Sequence, residues 1–191
     1  MKRVIFLHGV GGTGASMRPL AETLGLSVPA HCPDGPEPFE MGPGRQWFSV
    51  RGVSEANRPD RVAAALPGFP KTVERFGDPR DSLLVGFSQG AIMALHAVAA
   101  GLPAFGVFGL SGRLAGPVAP RAGWPPITLL HGSADPVMPA AVARASESWL
   151  KDAGAKVTLQ LFDGLGHGID DRTRAAIRTG LLRIVRAGKP D

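Results

Sequence analysis

The apolar residues of this 191-residue chain fall into short unbroken runs, separated by longer stretches with helical spacing. Val4-Ile5-Phe6-Leu7, Leu83-Leu84-Val85, Ala104 to Leu110, Ile127 to Leu130 and Val157 to Phe162 have the length and composition of buried strands. Leu26 to Ala30 reads as a weaker strand. Helices are expected from about Ser16 to Leu24, through the Ala91–Ala99 run, and from Pro139, which suits a first helical turn, to about Ala153. A last helix, capped by Asp170 or Asp171, carries Ile177, Leu181, Ile184 and Val185 at a 3.6-residue period. Val62, Leu66, Phe69, Val73 and Phe76 share helical spacing too, but Pro67, Gly68 and Pro70 must break or kink that helix. Six strands alternating with helices predict one α/β domain over residues 1–191, built on a single, mostly parallel sheet. The Pro- and Gly-rich segment His31 to Pro59 is expected to be a long irregular loop, and such loops usually serve function.

Chemistry concentrates where strands end. Gly86-Phe87-Ser88-Gln89-Gly90 is a G-x-S-x-G between a strand and an apolar helix. That context lifts a serine hydroxyl clear of the sheet on a strained turn, with glycines where backbone crowds backbone. The N–H of Gln89 then lies at a helix N-terminus, where positive partial charge favours an oxyanion.

Gly9-Val10-Gly11-Gly12-Thr13-Gly14 has two readings. It satisfies G-x-G-x-x-G after a first strand, and Asp34 lies near the place of a ribose-binding acid, which describes a nicotinamide-dependent reductase. Against this, Asp34 sits among turn residues beyond a weak strand, and no Gly-Lys-Ser/Thr follows to bind a triphosphate. Alternatively, His8-Gly9-Val10-Gly11-Gly12 supplies a second oxyanion donor to a serine hydrolase. That reading needs an acid and a base at later strand ends, and both are present.

Asp135 follows the Ile127–Leu130 strand, and His167 lies in Gly164-Leu165-Gly166-His167-Gly168 after the last strand. The chain order Ser88, Asp135, His167 is that of the α/β-hydrolase triad. His167 would accept the Ser88 proton while Asp135 fixes its tautomer. Asp163 is the rival acid, and Asp135 could instead be a turn or capping carboxylate. His8 and His131 are read as structural, His96 as packed or on the surface, and Cys32 as a small buried residue without a nucleophile elbow.

Composition removes other classes. A content of 44% hydrophobic and 19% charged residues is that of a globular chain. The net charge of +5 (21 basic against 16 acidic residues) includes Arg172, Arg174, Arg178, Arg183 and Arg186. These read as a solvated helix face, since no nucleic-acid reader motif accompanies them. The single cysteine excludes an intramolecular disulfide and a cysteine-cluster metal site. No signal-peptide core or membrane-length apolar run is seen, so a cytoplasmic location is expected.

Taken together, the chain resembles the phospholipase/carboxylesterase family of α/β-hydrolases, which includes acyl-protein thioesterases. The resemblance rests on Phe6-Leu7-His8-Gly9, Gln46-Trp47-Phe48, Gly86 through Ala91, Leu110-Ser111-Gly112, His131 through Pro139 and Gly166-His167. It implies a cofactor-free triad of Ser88, Asp135 and His167, oxyanion donors at the N–H groups of Val10 and Gln89, and Trp47 lining the acyl cleft. The implied activity is hydrolysis of carboxylic esters through an acyl-enzyme on Ser88, with thioesterase and lysophospholipase as alternatives and a small-molecule ester or thioester as substrate. With no long apolar loop for a lipid tunnel, short to medium acyl chains are favoured over lipidated proteins. A catalytically inactive hydrolase fold that only binds a ligand is a third reading. The sequence leaves the oligomeric state open, a homodimer included.

Overall fold

The computed structural model describes residues 1–187, with side chains through Arg183, so the side chains of Ile184, Val185 and Arg186 lie outside the described residues. Six parallel strands form one sheet in the order β2-β1-β5-β6-β7-β8: β1 (Arg3–Leu7), β2 (Ala30–His31), β5 (Ser82–Phe87), β6 (Gly106–Leu110), β7 (Ile127–Gly132) and β8 (Val157–Phe162). Strands β3 (Glu37–Pro38) and β4 (Arg45–Gln46) form a small antiparallel ribbon inside the long loop that the sequence left irregular. The expected second strand shifts toward its carboxyl end. Pro29 has no N–H to donate, so only its carbonyl meets β1, accepting from Val4 N at 2.9 Å, and pairing runs through Ala30 and His31.

Alternation along the central strands divides their side chains between two cores. Val4, Phe6, Leu83, Val85, Phe108 and Leu110 face α1 (Gly14–Leu24) and α6 (Asp171–Ala187), meeting Met17, Leu20, Ile177 and Leu181. Ile5, Leu7, Leu84, Val107 and Leu129 face the other way. There they meet α2 (Arg58–Ala65), α3 (Phe69–Glu74), α4 (Gln89–Ala99) and α5 (Ala140–Asp152) through Val62, Val73, Ile92 and Leu150. A single 3-10 turn, Leu66–Gly68, separates α2 from α3, which is the break that Pro67, Gly68 and Pro70 require. Helix starts also follow local chemistry. Thr13 and Ser16 form a capping box on α1, and Asp170 accepts from Thr173 N at 2.9 Å ahead of α6. Along α6, Arg172 and Arg174 pair with Asp170 and Asp171, and Arg178 donates to Thr23 O, so these basic residues serve the helix surface.

From β1 the chain crosses to β2 on one side and returns to β5 on the other. The topological switch therefore lies between the carboxyl ends of β1 and β5, where such sheets place ligands. Their register sets Leu7 beside Gly86, bringing the Gly9-Val10 turn alongside Ser88.

His96, on α4, accepts a hydrogen bond from Ala115 N at 2.8 Å, and burial followed by the nearby Arg113 charge lowers its pKa from 6.5 to about 4. An unfolded chain takes up a proton at this residue as pH falls below 6.5, whereas the folded chain does so only near 4, so folding stability drops across that interval. We expect His96 to contribute a loss on the order of 2–3 kcal/mol between pH 7 and pH 4.5. Urea unfolding at the two pH values checks this, and H96Q should lose correspondingly less; equal losses would remove His96 as the source.

Candidate active site

Gly86 and Gly90 are where the serine turn is most crowded. A Cβ at Gly86 would stand 2.6 Å from Ala91 N and Cα, and one at Gly90 would collide with the Leu7 carbonyl oxygen. Between them Ser88 adopts φ 52° and ψ −114°, a left-handed conformation that side-chain-bearing residues avoid. Its N–H donates to Leu110 O at 2.8 Å, and its carbonyl accepts from Ala91 N and Ile92 N, the first turn of α4.

Two loops from the other end of the sheet meet this turn. Ser133 N and Ala134 N donate to Phe162 O and Leu165 O, and Gly132 has no room for a Cβ against the Leu165 carbonyl, so the loop after β7 packs directly on the loop carrying His167. The three expected side chains converge. Ser88 Oγ lies 3.0 Å from His167 Nε2, and His167 Nδ1 lies 2.8 Å from Asp135 Oδ2. Asp135 Oδ1 accepts from Val137 N at 2.9 Å and Met138 N at 2.8 Å. Burial alone would raise the Asp135 pKa, but the Met138 amide, His167 and the Val137 amide outweigh it and hold the carboxyl below its usual range. The carboxylate therefore stays ionised against the imidazole. Asp163 is engaged elsewhere, accepting from Ser133 Oγ at 3.2 Å.

The remaining histidines serve the frame. Nε2 of His131 donates to Met138 O at 2.7 Å, securing the turn that presents Asp135. Buried His8 donates from Nδ1 to Gly9 O at 2.7 Å and accepts from Gly35 N at Nε2. His31 stacks on Phe76. Cys32 is half-buried, and burial pushes its thiol pKa up.

The N–H of Gln89, first in α4, and that of Val10 have no partner among the described residues, and both residues line a cavity of about 560 Å³ with Ser88. Three other amides of the glycine loop have partners. Gly11 N donates to Arg45 O, Gly12 N to Gly9 O, and Gly14 N to the Asp34 carboxylate at 2.6 Å. The Cys32 carbonyl fills the space beside Gly14. Asp34 thus occupies the amide at the start of α1 that a dinucleotide phosphate would need, and the reductase reading of this loop is withdrawn. Among the described residues no group of three or more His, Cys, Asp or Glu side chains is placed to hold a metal ion.

Trp47 departs from its expected place. Only 2% exposed, it packs edge-on to Phe69 and donates from Nε1 to His8 O at 2.8 Å, because a buried indole N–H requires an acceptor. The neighbouring Phe48 lines the cavity instead. The side chain of Gln89, which the sequence reading valued only for its N–H, holds both residues: Oε1 accepts from Trp47 N at 2.8 Å, and Nε2 donates to Phe48 O at 2.7 Å.

The six-stranded parallel sheet and its flanking helices, with a G-x-S-x-G turn after β5, define an α/β-hydrolase fold. The model of the phospholipase/carboxylesterase family matches residues 1–182, and the chain belongs to that family. It is 38% identical over 186 residues to esterase YpfH of Escherichia coli, covering 89% of this chain and 77% of the relative. It is 28% identical over 196 residues to acyl-protein thioesterase 1 of Neurospora crassa, covering 86% of this chain and 79% of the relative. Among solved structures, esterase PE8 is similar at a TM-score of 0.83 and 28% identity, covering 96% of this chain and 92% of that one. Acyl-protein thioesterase 2 of Zea mays is similar at 0.79 and 26%, covering 96% and 93%. The chain is therefore a hydrolase of the esterase and thioesterase type. No helix among the described residues is long and apolar enough to cross a membrane.

Removing the Gln89 side chain should strand a buried N–H and a buried carbonyl. We expect Q89A to lose about 2–4 kcal/mol of unfolding free energy, measured by denaturant titration. A change below 0.5 kcal/mol would mean that the loop is held by other contacts.

Proposed function

We propose that this protein is a serine carboxylesterase that acts on short to medium acyl chains through an acyl-enzyme on Ser88. The observation that carries the proposal is the continuous chain of contacts from Ser88 Oγ through His167 to Asp135, at 3.0 and 2.8 Å. His167 Nε2 takes the hydroxyl proton as Oγ attacks the ester carbonyl. The negative charge on the tetrahedral oxygen is received by the N–H groups of Val10 and Gln89, aided by the start of α4. Collapse expels the alcohol, which leaves with the proton held by His167, and a water activated by the same nitrogen then releases the acid. Asp135 keeps Nδ1 protonated and stabilises the transient imidazolium. A thioester would follow the same path with a thiol leaving group.

The cavity beside Ser88 supports the size preference. Val50, Ile92, Met138 and Val142 give it an apolar wall, and its volume of about 560 Å³ lies within the range of small-molecule sites. A non-catalytic binding fold would have no use for an ionised carboxylate aligned behind the imidazole.

A fluorophosphonate probe should label Ser88, and S88A should abolish hydrolysis of p-nitrophenyl butyrate. D135N should lose on the order of 10³–10⁴ in kcat while staying folded, whereas D163N should keep its activity. Failure of the wild type to be labelled or to cleave any short ester or thioester would refute the proposal. Retained activity in D135N would move the acid role away from Asp135.

A further inference from the structure

The cavity beside Ser88 contains a charged cluster that hydrolysis of a neutral ester does not use. Arg113 comes directly after Ser111-Gly112 at the carboxyl end of β6. A Cβ at Gly112 would lie 3.2 Å from the Ser88 carbonyl oxygen, so this segment runs against the serine turn. The Arg113 side chain is only 9% exposed and lines the cavity. Its Nε donates to Leu114 O at 2.9 Å, and its Nη1 lies 2.7 Å from Glu55 Oε2, which leaves Nη2 without a partner among the described residues. Arg58, the first residue of α2, meets the other oxygen of Glu55 at 3.1 Å and also lines the cavity, while its Nε is buried and has no partner among the described residues.

Two guanidiniums thus share one carboxylate, and among the described residues no other charged side chain lines the cavity. The Glu55 side chain is 67% exposed, so its charge is the best hydrated of the three. Both arginines are largely removed from water with only half their charge compensated, a costly arrangement unless a ligand supplies an anion. Apolar walls beside a planar, multidentate cation fit a molecule with a short hydrocarbon segment and a carboxylate.

We propose that this pocket selects esters carrying an anionic carboxylate, which Arg113 and Arg58 receive while Ser88 attacks the ester carbonyl. The inference rests on the serine esterase reading. Because the anion is bound in ground and transition states alike, the gain falls mainly in KM.

The test uses two ester pairs differing in one charge. Mono-p-nitrophenyl adipate against p-nitrophenyl methyl adipate places the charge on the acyl side. The acetate of 4-hydroxyphenylacetate against that of its methyl ester places it on the alcohol side. Rates are normalised to protein that reacts with a fluorophosphonate, and charged-to-neutral ratios are taken within each variant, so partial misfolding cancels. We expect kcat/KM to favour the charged member of at least one pair about tenfold. R113M and R58M should each lower that ratio, mainly through KM. E55Q should raise it, because both guanidiniums lose their competing partner; a cluster serving only to fasten the loop would give no such rise. No charge preference in either pair, a preference unchanged in both arginine variants, or a fall in E55Q would overturn the inference while leaving Ser88 as nucleophile. No hydrolysis of any of the four esters by protein that cleaves p-nitrophenyl butyrate would overturn this inference alone, and loss of all ester and thioester cleavage would overturn both readings.

Discussion

The site depends on one backbone conformation that serine does not favour. Ser88 at φ 52° carries a strain on the order of 1–3 kcal/mol, which must be sustained by its surroundings. Leu110 O takes its N–H, the first turn of α4 takes its carbonyl, and glycines stand at the two positions where any side chain would strike backbone. Behind them α4 buries Ile92, Leu95 and Val98 against the sheet, so relaxing the turn would mean moving a packed helix. The strain brings Oγ within reach of His167 and leaves the Gln89 N–H at the bare end of the helix.

The rest of the site is assembled by backbone packing between loops. Gly132 lets the loop after β7 lie against the carbonyl of Leu165, which sets Asp135 and His167 at a fixed separation. Two amides then fix one oxygen of Asp135 and leave the other for the imidazole. On the far side, His8 is locked between Gly9 and Gly35 and accepts the Trp47 indole N–H at its own carbonyl. The Gly9-Val10 loop and the cavity wall therefore share one hydrogen-bonded frame, completed by the Gln89 side chain.

What the sequence made legible was set by strand ends. The runs at Leu83–Val85, Ile127–Leu130 and Val157–Phe162 announced strands, and in a parallel sheet their following residues must emerge on one edge, so Ser88, Asp135 and His167 could be placed together without coordinates. The helix break at Pro67–Pro70 was legible for the same local reason. Long-range satisfaction of polar groups was not. The resemblance put Trp47 in the acyl cleft, because nothing local shows that its acceptor is the His8 carbonyl, 39 residues away. Asp34 looked like a ribose ligand because its hydrogen bond to Gly14 spans 20 residues. The ribbon of β3 and β4 escaped notice since two-residue strands have no period to read.

The most direct measurement is a crystal structure of the enzyme after reaction with diethyl fluorophosphate, which loses fluoride and leaves a diethyl phosphoryl group that mimics the tetrahedral intermediate. The account predicts a covalent bond from phosphorus to Ser88 Oγ, with the phosphoryl oxygen about 2.7–3.1 Å from the N–H groups of both Val10 and Gln89 and His167 still bonded to Asp135. Phosphorylation of another residue, or a phosphoryl oxygen turned away from both amides, would contradict it.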